Sequence, residues 1–145
     1  MTARLMCICI VQQADTQGKL TLRACDLVQD PQATATVLAQ GGSFDAVVHC
    51  VGMLLPNRLN GLASGSGSIP GPGTTYQQII CDTATAAADA AAQHRHGCAF
   101  IFVSAAEAGW PEDAPLLPSF LRNYLAAKHC VEAHLRGLAA AGVLR

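Results

Sequence analysis

The sequence predicts a single α/β domain, residues 1–145, built on a parallel sheet. Three observations predict it. Short apolar runs rich in β-branched residues recur along the chain, helical stretches separate the later ones, and Gly or Pro marks the joins. With 145 residues, 51% hydrophobic and only 13% charged, the chain suits one compact domain and excludes disorder, a coiled coil or a polar repeat array.

Leu5 to Val11 is a short apolar run and reads as the first strand, and Leu20 to Ala24 alternates apolar and polar residues as a second. Asp30 is a good N-cap for a helix that opens at Pro31 and ends before Gly41-Gly42. Asp45 to Val51 is nearly all apolar, the pattern of a strand buried on both faces. Residues 56–74 form a long loop rich in Gly, Ser and Pro. Gly65 and Gly67 hint at a phosphate-binding turn there, but Pro70 stands where a third glycine belongs and no Lys follows. Tyr76 to Gln93 is an Ala-rich helix whose small side chains allow close packing on a sheet. Ala99 to Val103 is a further apolar strand ending at Ser104. Ser119 to Ala141 is the last helix, with Gly142 as its C′ residue and Val143-Leu144 opening one more strand.

Nine basic and ten acidic residues give a net charge of −1, and no cluster of Lys and Arg exists, which argues against nucleic acid or an acidic membrane as a partner. The low charge fits either a compact domain with much of itself buried or a surface partly covered by a partner. No apolar run reaches the roughly 18 residues of a membrane span, and neither a signal peptide nor a transit peptide is visible. The seven cysteines are odd in number and lack a C-x-x-C pair. They read as free thiols in a reducing compartment, several of them, as in Ile8-Cys9-Ile10 and His49-Cys50-Val51, buried as small hydrophobes. His94, His96 and Cys98 are metal-type residues, but i and i+2 positions do not share a helix face, so no metal site is assigned. His129 and His134 read as surface residues, and Trp110-Pro111 as a pocket wall or a cover for the core.

Parallel sheets bind ligands at the carboxyl ends of their strands. Asp26, the His49-Cys50-Val51-Gly52 turn and Ser104 fall there. Tyr124 and Lys128, four residues apart, share one helix face, and an ammonium beside a phenol favours the phenolate and hence proton transfer near neutral pH. A serine hydroxyl nearby can hold a substrate carbonyl. Glu132, four residues beyond Lys128, suits an ion pair with it. Alone the Y-x-x-x-K spacing is weak; its order after a strand and Ser104 gives it weight.

That order resembles the short-chain dehydrogenase/reductase superfamily, in its atypical, extended branch. The segments Val47–Leu55, Thr75-Tyr76, Asp82–Ala84, Phe102–Ala105 and Tyr124–Glu132 are similar to mitochondrial members associated with coenzyme Q biosynthesis and, more distantly, to the accessory subunit of respiratory complex I. The resemblance covers residues 19–145 and implies a partial Rossmann-like parallel sheet flanked by helices. It implies NAD or NADP as cofactor, with Asp26, Leu27, Cys50, Val51 and Gly52 lining its site. Tyr124 is the implied acid/base, Lys128 the ribose-holding cation and Ser104 the group that orients substrate. Cys81 occupies the position where members often carry Asn. The first strand with its glycine-rich turn and the C-terminal substrate region have no counterpart in this sequence. The resemblance therefore implies either an NAD(P)-dependent oxidoreductase that is mitochondrial and part of a larger assembly, or a non-catalytic accessory subunit of a respiratory or quinone-biosynthesis complex.

Overall fold

The structure is a computed structural model that describes residues 7–12, 20–41, 44–55, 59–63, 70–110 and 117–145. Strands β1 (Cys7–Gln12) and β2 (Leu20–Cys25) pair antiparallel, with Cys7 opposite Cys25 and Gln12 opposite Leu20. This corrects the expectation of a wholly parallel sheet. A parallel crossover needs a dozen or more residues, and residues 13–19 are too few, whereas a hairpin needs only a short connection.

Helix α1 (Ala33–Gly41) follows a turn in which Asp30 Oδ1 accepts the Gln32 N–H at 3.1 Å. Pro31 thus sits in the turn before the helix rather than in it. Strand β3 (Ala46–His49) and strand β4 (Ala99–Phe102) pair in parallel, Ala46 with Ala99 and His49 with Phe102. On the other side of β4, Leu144 makes a parallel bridge with Cys98, and the Phe100 N–H donates to the Arg145 carbonyl. Residues 143–145 therefore begin a third parallel line, as their composition predicts. A one-turn helix, α2 (Asn60–Ala63), lies within the stretch expected to be a loop; residues 56–58 and 64–69 of that stretch, and Pro111, lie outside the described residues.

The long helix between β3 and β4 begins with a π-helical stretch, Gln77–Asp82, and continues as α3 (Thr83–His94). Gly97, at φ +72°, takes the left-handed conformation that turns the chain from α3 into β4. Helix α4 (Ser119–Ala140) ends as predicted, with Gly142 at φ +69° and the Val143 N–H returned to the Leu138 carbonyl. Among the described residues no helix is long and apolar enough to cross a membrane.

The core lies on one side of the β3–β4 pair. Leu38, Phe44, Ala88, Ala91, Cys98 and Leu144 form one buried cluster, against which Val47 and Phe100 pack. Met53, Tyr76, Ile79, Ile80, Ala127 and Val131 form the second, joined by Phe102. The alanines of α3 remove bulk between helix and sheet. The alternate side chains point the other way: Val48 is 57% exposed, and Ile101 and Val103 are each 51% exposed. The expectation that residues 45–51 are buried on both faces is thus corrected; the run alternates with period 2, and Val47, His49 and Val51 face inward.

A disulfide between Cys81 and Cys130, Cα–Cα 6.0 Å, fastens the π-helical stretch to α4. It overturns the reading of all cysteines as free thiols. The two residues lie 49 apart in sequence, and closing a loop of that length lowers the entropy of the unfolded chain by about 4 kcal/mol in the chain-entropy model. Cys50 is exposed rather than buried, while the Cys98 thiol is buried and pushed above its usual pKa by that burial.

Leu125 is fully buried, so Leu125→Ala is expected to lower stability by about 2–5 kcal/mol in denaturant titration. Val48→Ser, on the exposed face, is expected to change it by no more than about 0.5 kcal/mol.

Candidate functional site

The carboxyl ends of β3 and β4 lie side by side, and both continue into residues with reactive side chains: His49-Cys50 from one strand, Val103-Ser104 from the other. Helix α4 crosses these ends. Its residues Tyr124, Lys128 and Glu132, four apart, fall on one face and meet the strand ends together.

Lys128 is only 5% exposed. Its Nζ donates to the Val103 carbonyl at 2.7 Å and stands 4.6 Å from the centre of the Phe102 ring and 5.6 Å from that of Tyr124. A charge-assisted hydrogen bond and two ring faces offset part of the loss of water. Burial still prevails and pulls the ammonium below its usual pKa, opposed by the charges of Glu132 and Cys50.

Ser104 Oγ donates to Glu132 Oε1 at 2.7 Å, and Glu132 Oε2 accepts from Arg136 Nη2 at 2.9 Å. The expected Lys128–Glu132 ion pair is replaced by these two bonds, because a strand-end carbonyl takes the Lys128 head instead. Tyr124 rests edge-on against Tyr76, ring centres 6.0 Å apart, and Tyr76 donates from its hydroxyl to the Leu54 carbonyl at 2.9 Å. Burial, with Tyr124 nearby, pushes the Tyr76 phenol above its usual pKa. Buried Asn60 accepts the Leu54 and Leu55 N–H groups at 2.7 and 3.0 Å and so shapes the segment leaving Gly52.

His49, expected within the 45–51 strand and the turn that ends it but given no role of its own, is a buried polar residue. Its Nε2 lies 3.2 Å from Thr83 Oγ1, and that hydroxyl donates to the Ile79 carbonyl at 2.6 Å. The threonine proton is therefore committed, so Nε2 carries the imidazole proton and donates. Nδ1 is left as a buried acceptor with no partner among the described residues. Burial first, then the charge of Lys128, lowers the His49 pKa from 6.5 to about 4. The period-2 pattern of β3, which sends residue 49 to the same face as Val47, is the signal that locates it.

The structure thus brings Ser104, Tyr124 and Lys128 to one strand end. Cys50 and Gly52 are exposed there, Val51 is half-buried, and no atom of the described residues lies within 4 Å of the position a Gly52 Cβ would take, so among these residues the turn has open space beside it. Asp26 is engaged locally: its Oδ1 accepts the Val28 and Gln29 N–H groups, each at 3.1 Å. Leu27 is buried in the core. Away from the site, His134 bonds Asp89 at 2.7 Å and so bridges α4 to α3, more than the solvent-facing role expected of it. Arg95 pairs with Asp45 at 2.6 Å, His94 packs near the Phe44 ring, and Trp110 is exposed. Among the described residues, no three His, Cys, Asp or Glu side chains gather as a metal site.

Compared with known proteins, the chain matches no family model, no curated protein and no solved structure. What stands is a mixed α/β arrangement around a two-stranded parallel sheet with a polar cluster at its carboxyl end.

The His49 shift has a consequence for stability. The unfolded imidazole takes up a proton below pH 6.5 while the folded one stays neutral down to about pH 4. Stability is therefore full above pH 6.5 and falls as pH drops through that window, by about 3 kcal/mol for this residue. His49→Gln is expected to flatten that slope in urea titrations run from pH 7 to pH 4.

Proposed function

We propose that this chain forms a short-chain dehydrogenase/reductase-type, Rossmann-like unit that works within a larger protein assembly. The observation that carries the reading is the meeting of Ser104, at the end of β4, with Tyr124 and Lys128 on one face of α4. Three further features support it: the parallel β3–β4 pair with a third parallel line beginning at Leu144, the open space beside Gly52, and the exposed apolar face of Val48, Ile101 and Val103, which suits coverage by further polypeptide.

On this reading the substrate class is a carbonyl or its alcohol, and the setting is mitochondrial, as in the members the sequence resembles. NAD or NADP would lie across the Cys50–Gly52 turn and supply the hydride. Tyr124 moves the proton at the substrate oxygen, and Lys128 contributes a fixed positive charge behind its ring. Ser104 orients the substrate oxygen once its hydroxyl proton leaves the Glu132 carboxylate.

A second reading, a non-catalytic accessory subunit, is favoured by one observation. Both Ser104 and Lys128 are bonded inward, to Glu132 and to the Val103 carbonyl. The two readings separate on the protein isolated with whatever it binds. The enzyme reading expects NAD(P) released on denaturation and a carbonyl-reducing activity that Tyr124→Phe lowers by about 100-fold or more without loss of nucleotide. An intact larger complex with no nucleotide, and no effect of Tyr124→Phe, establishes the accessory reading instead.

A further inference from the structure

The Cys81–Cys130 bond ties together the two elements that frame the strand-end cluster. Cys81 lies in the π-helical stretch, 2% exposed, in the same buried cluster as Tyr76 and Val131. Cys130 lies on α4, two residues beyond Lys128, and is only partly buried. The exposed Gln77 places its Nε2 3.9 Å from Cys130 Sγ and bonds Asp82 at 2.9 Å, so the sulfur opens on a polar, solvent-facing edge. The two cysteines are thus unequal: Cys130 is partly exposed at the edge of the buried cluster, and Cys81 is sealed within it. Among the described residues the chain also carries Cys50 as an exposed thiol at the site itself, so this bridge stands beside unbridged cysteine and not in a fully cross-linked framework.

We propose that Cys81–Cys130 is a reversible redox site, attacked at Cys130 by a glutathione-class thiol or a dithiol, and that its state sets how firmly α4 holds Tyr124 and Lys128 on the strand ends. The exchange is balanced by the reductant. A thiolate attacks Cys130 Sγ, the Sγ–Sγ bond breaks, and Cys81 leaves as a thiolate that takes up a proton. A second thiol then attacks the reductant's sulfur in the mixed disulfide and releases Cys130. The sum is two cysteine thiols and one oxidised reductant, with two electrons transferred. Cutting the bond removes the covalent tie between α4 and the π-helical stretch and leaves Lys128 held by non-covalent contacts alone, its hydrogen bond to Val103 and the rings of Phe102 and Tyr124. This inference goes beyond the proposed function and stands whether or not the chain binds a nucleotide.

The test equilibrates the whole chain in glutathione buffers of graded ratio, alkylates the thiols and maps them by mass spectrometry, with hydrogen exchange on both end states. The proposal expects residues 81 and 130 to pass from bridged to reduced within the buffer series. It expects a glutathione adduct on Cys130 in the Cys81→Ala variant and none on Cys81 in the Cys130→Ala variant. Reduction is expected to speed exchange in residues 119–131 by about tenfold, with α1 unaffected, and to lower Tm by about 10 °C. A bond that opens only in denaturant, alkylation of both cysteines in untreated protein, adduct on Cys81, or unchanged exchange in α4 on reduction would each overturn it.

Discussion

The arrangement depends on one buried charge. Lys128 lies almost wholly out of water, and among the described residues no carboxylate touches its ammonium; the Val103 carbonyl and the rings of Phe102 and Tyr124 receive it. An ammonium so placed costs several kcal/mol unless its surroundings are fixed in position. That requirement determines the local structure. Helix α4 must keep its register so that residue 128 meets the end of β4, and Tyr124 and Glu132 follow one turn away on either side. Burial holds the His49 imidazole neutral, and the charge of Lys128 acts through space in the same direction. Charge, helix register and histidine protonation are one linked set.

The sheet beneath this cluster is covered on one face. Helix α3 packs its alanines against Val47, Phe100 and Phe102 and meets His49 through Thr83, while Val48, Ile101 and Val103 face outward. β-branched side chains half exposed on adjacent parallel strands are unusual, because parallel sheets are ordinarily sheathed by helices on both sides. The physical demand for coverage connects the fold to the reading of this chain as part of something larger. The disulfide acts on the covered side, between α4 and the stretch that leads into α3.

Much of this was legible in the residues. Apolar runs located β3 and β4, alanine content located α3, and Gly142 marked the end of α4 at the position where a left-handed residue closes it. The four-residue spacing put Tyr124 and Lys128 on one face. The direction of β2 was also legible, since residues 13–19 are too few for a crossover, but alternating strands and helices later in the chain suggested a uniform sheet. Three features were beyond reach of local pattern. The continuous apolar run at residues 45–51 cannot say which face is covered, because that depends on which helices pack where. The i, i+4 rule offered Glu132 to Lys128, yet a carbonyl from residue 103 took the lysine and Ser104 took the glutamate. The pairing of Cys81 with Cys130 likewise arises from the docking of α4, and no spacing in the sequence encodes it.

The placement of Lys128 is the most direct point of test. The chain contains two lysines, Lys19 and Lys128, so a sample labelled at lysine Nζ and Cε gives two side-chain resonances, assigned with Lys128→Arg. Titration by NMR is expected to show the Lys128 ammonium losing its proton below the ordinary value of 10.5, with its proton exchange slowed by burial. A Lys128 resonance that titrates at the ordinary value and exchanges as freely as a solvated amine would contradict the account, because α4 would then not be seated on the strand ends.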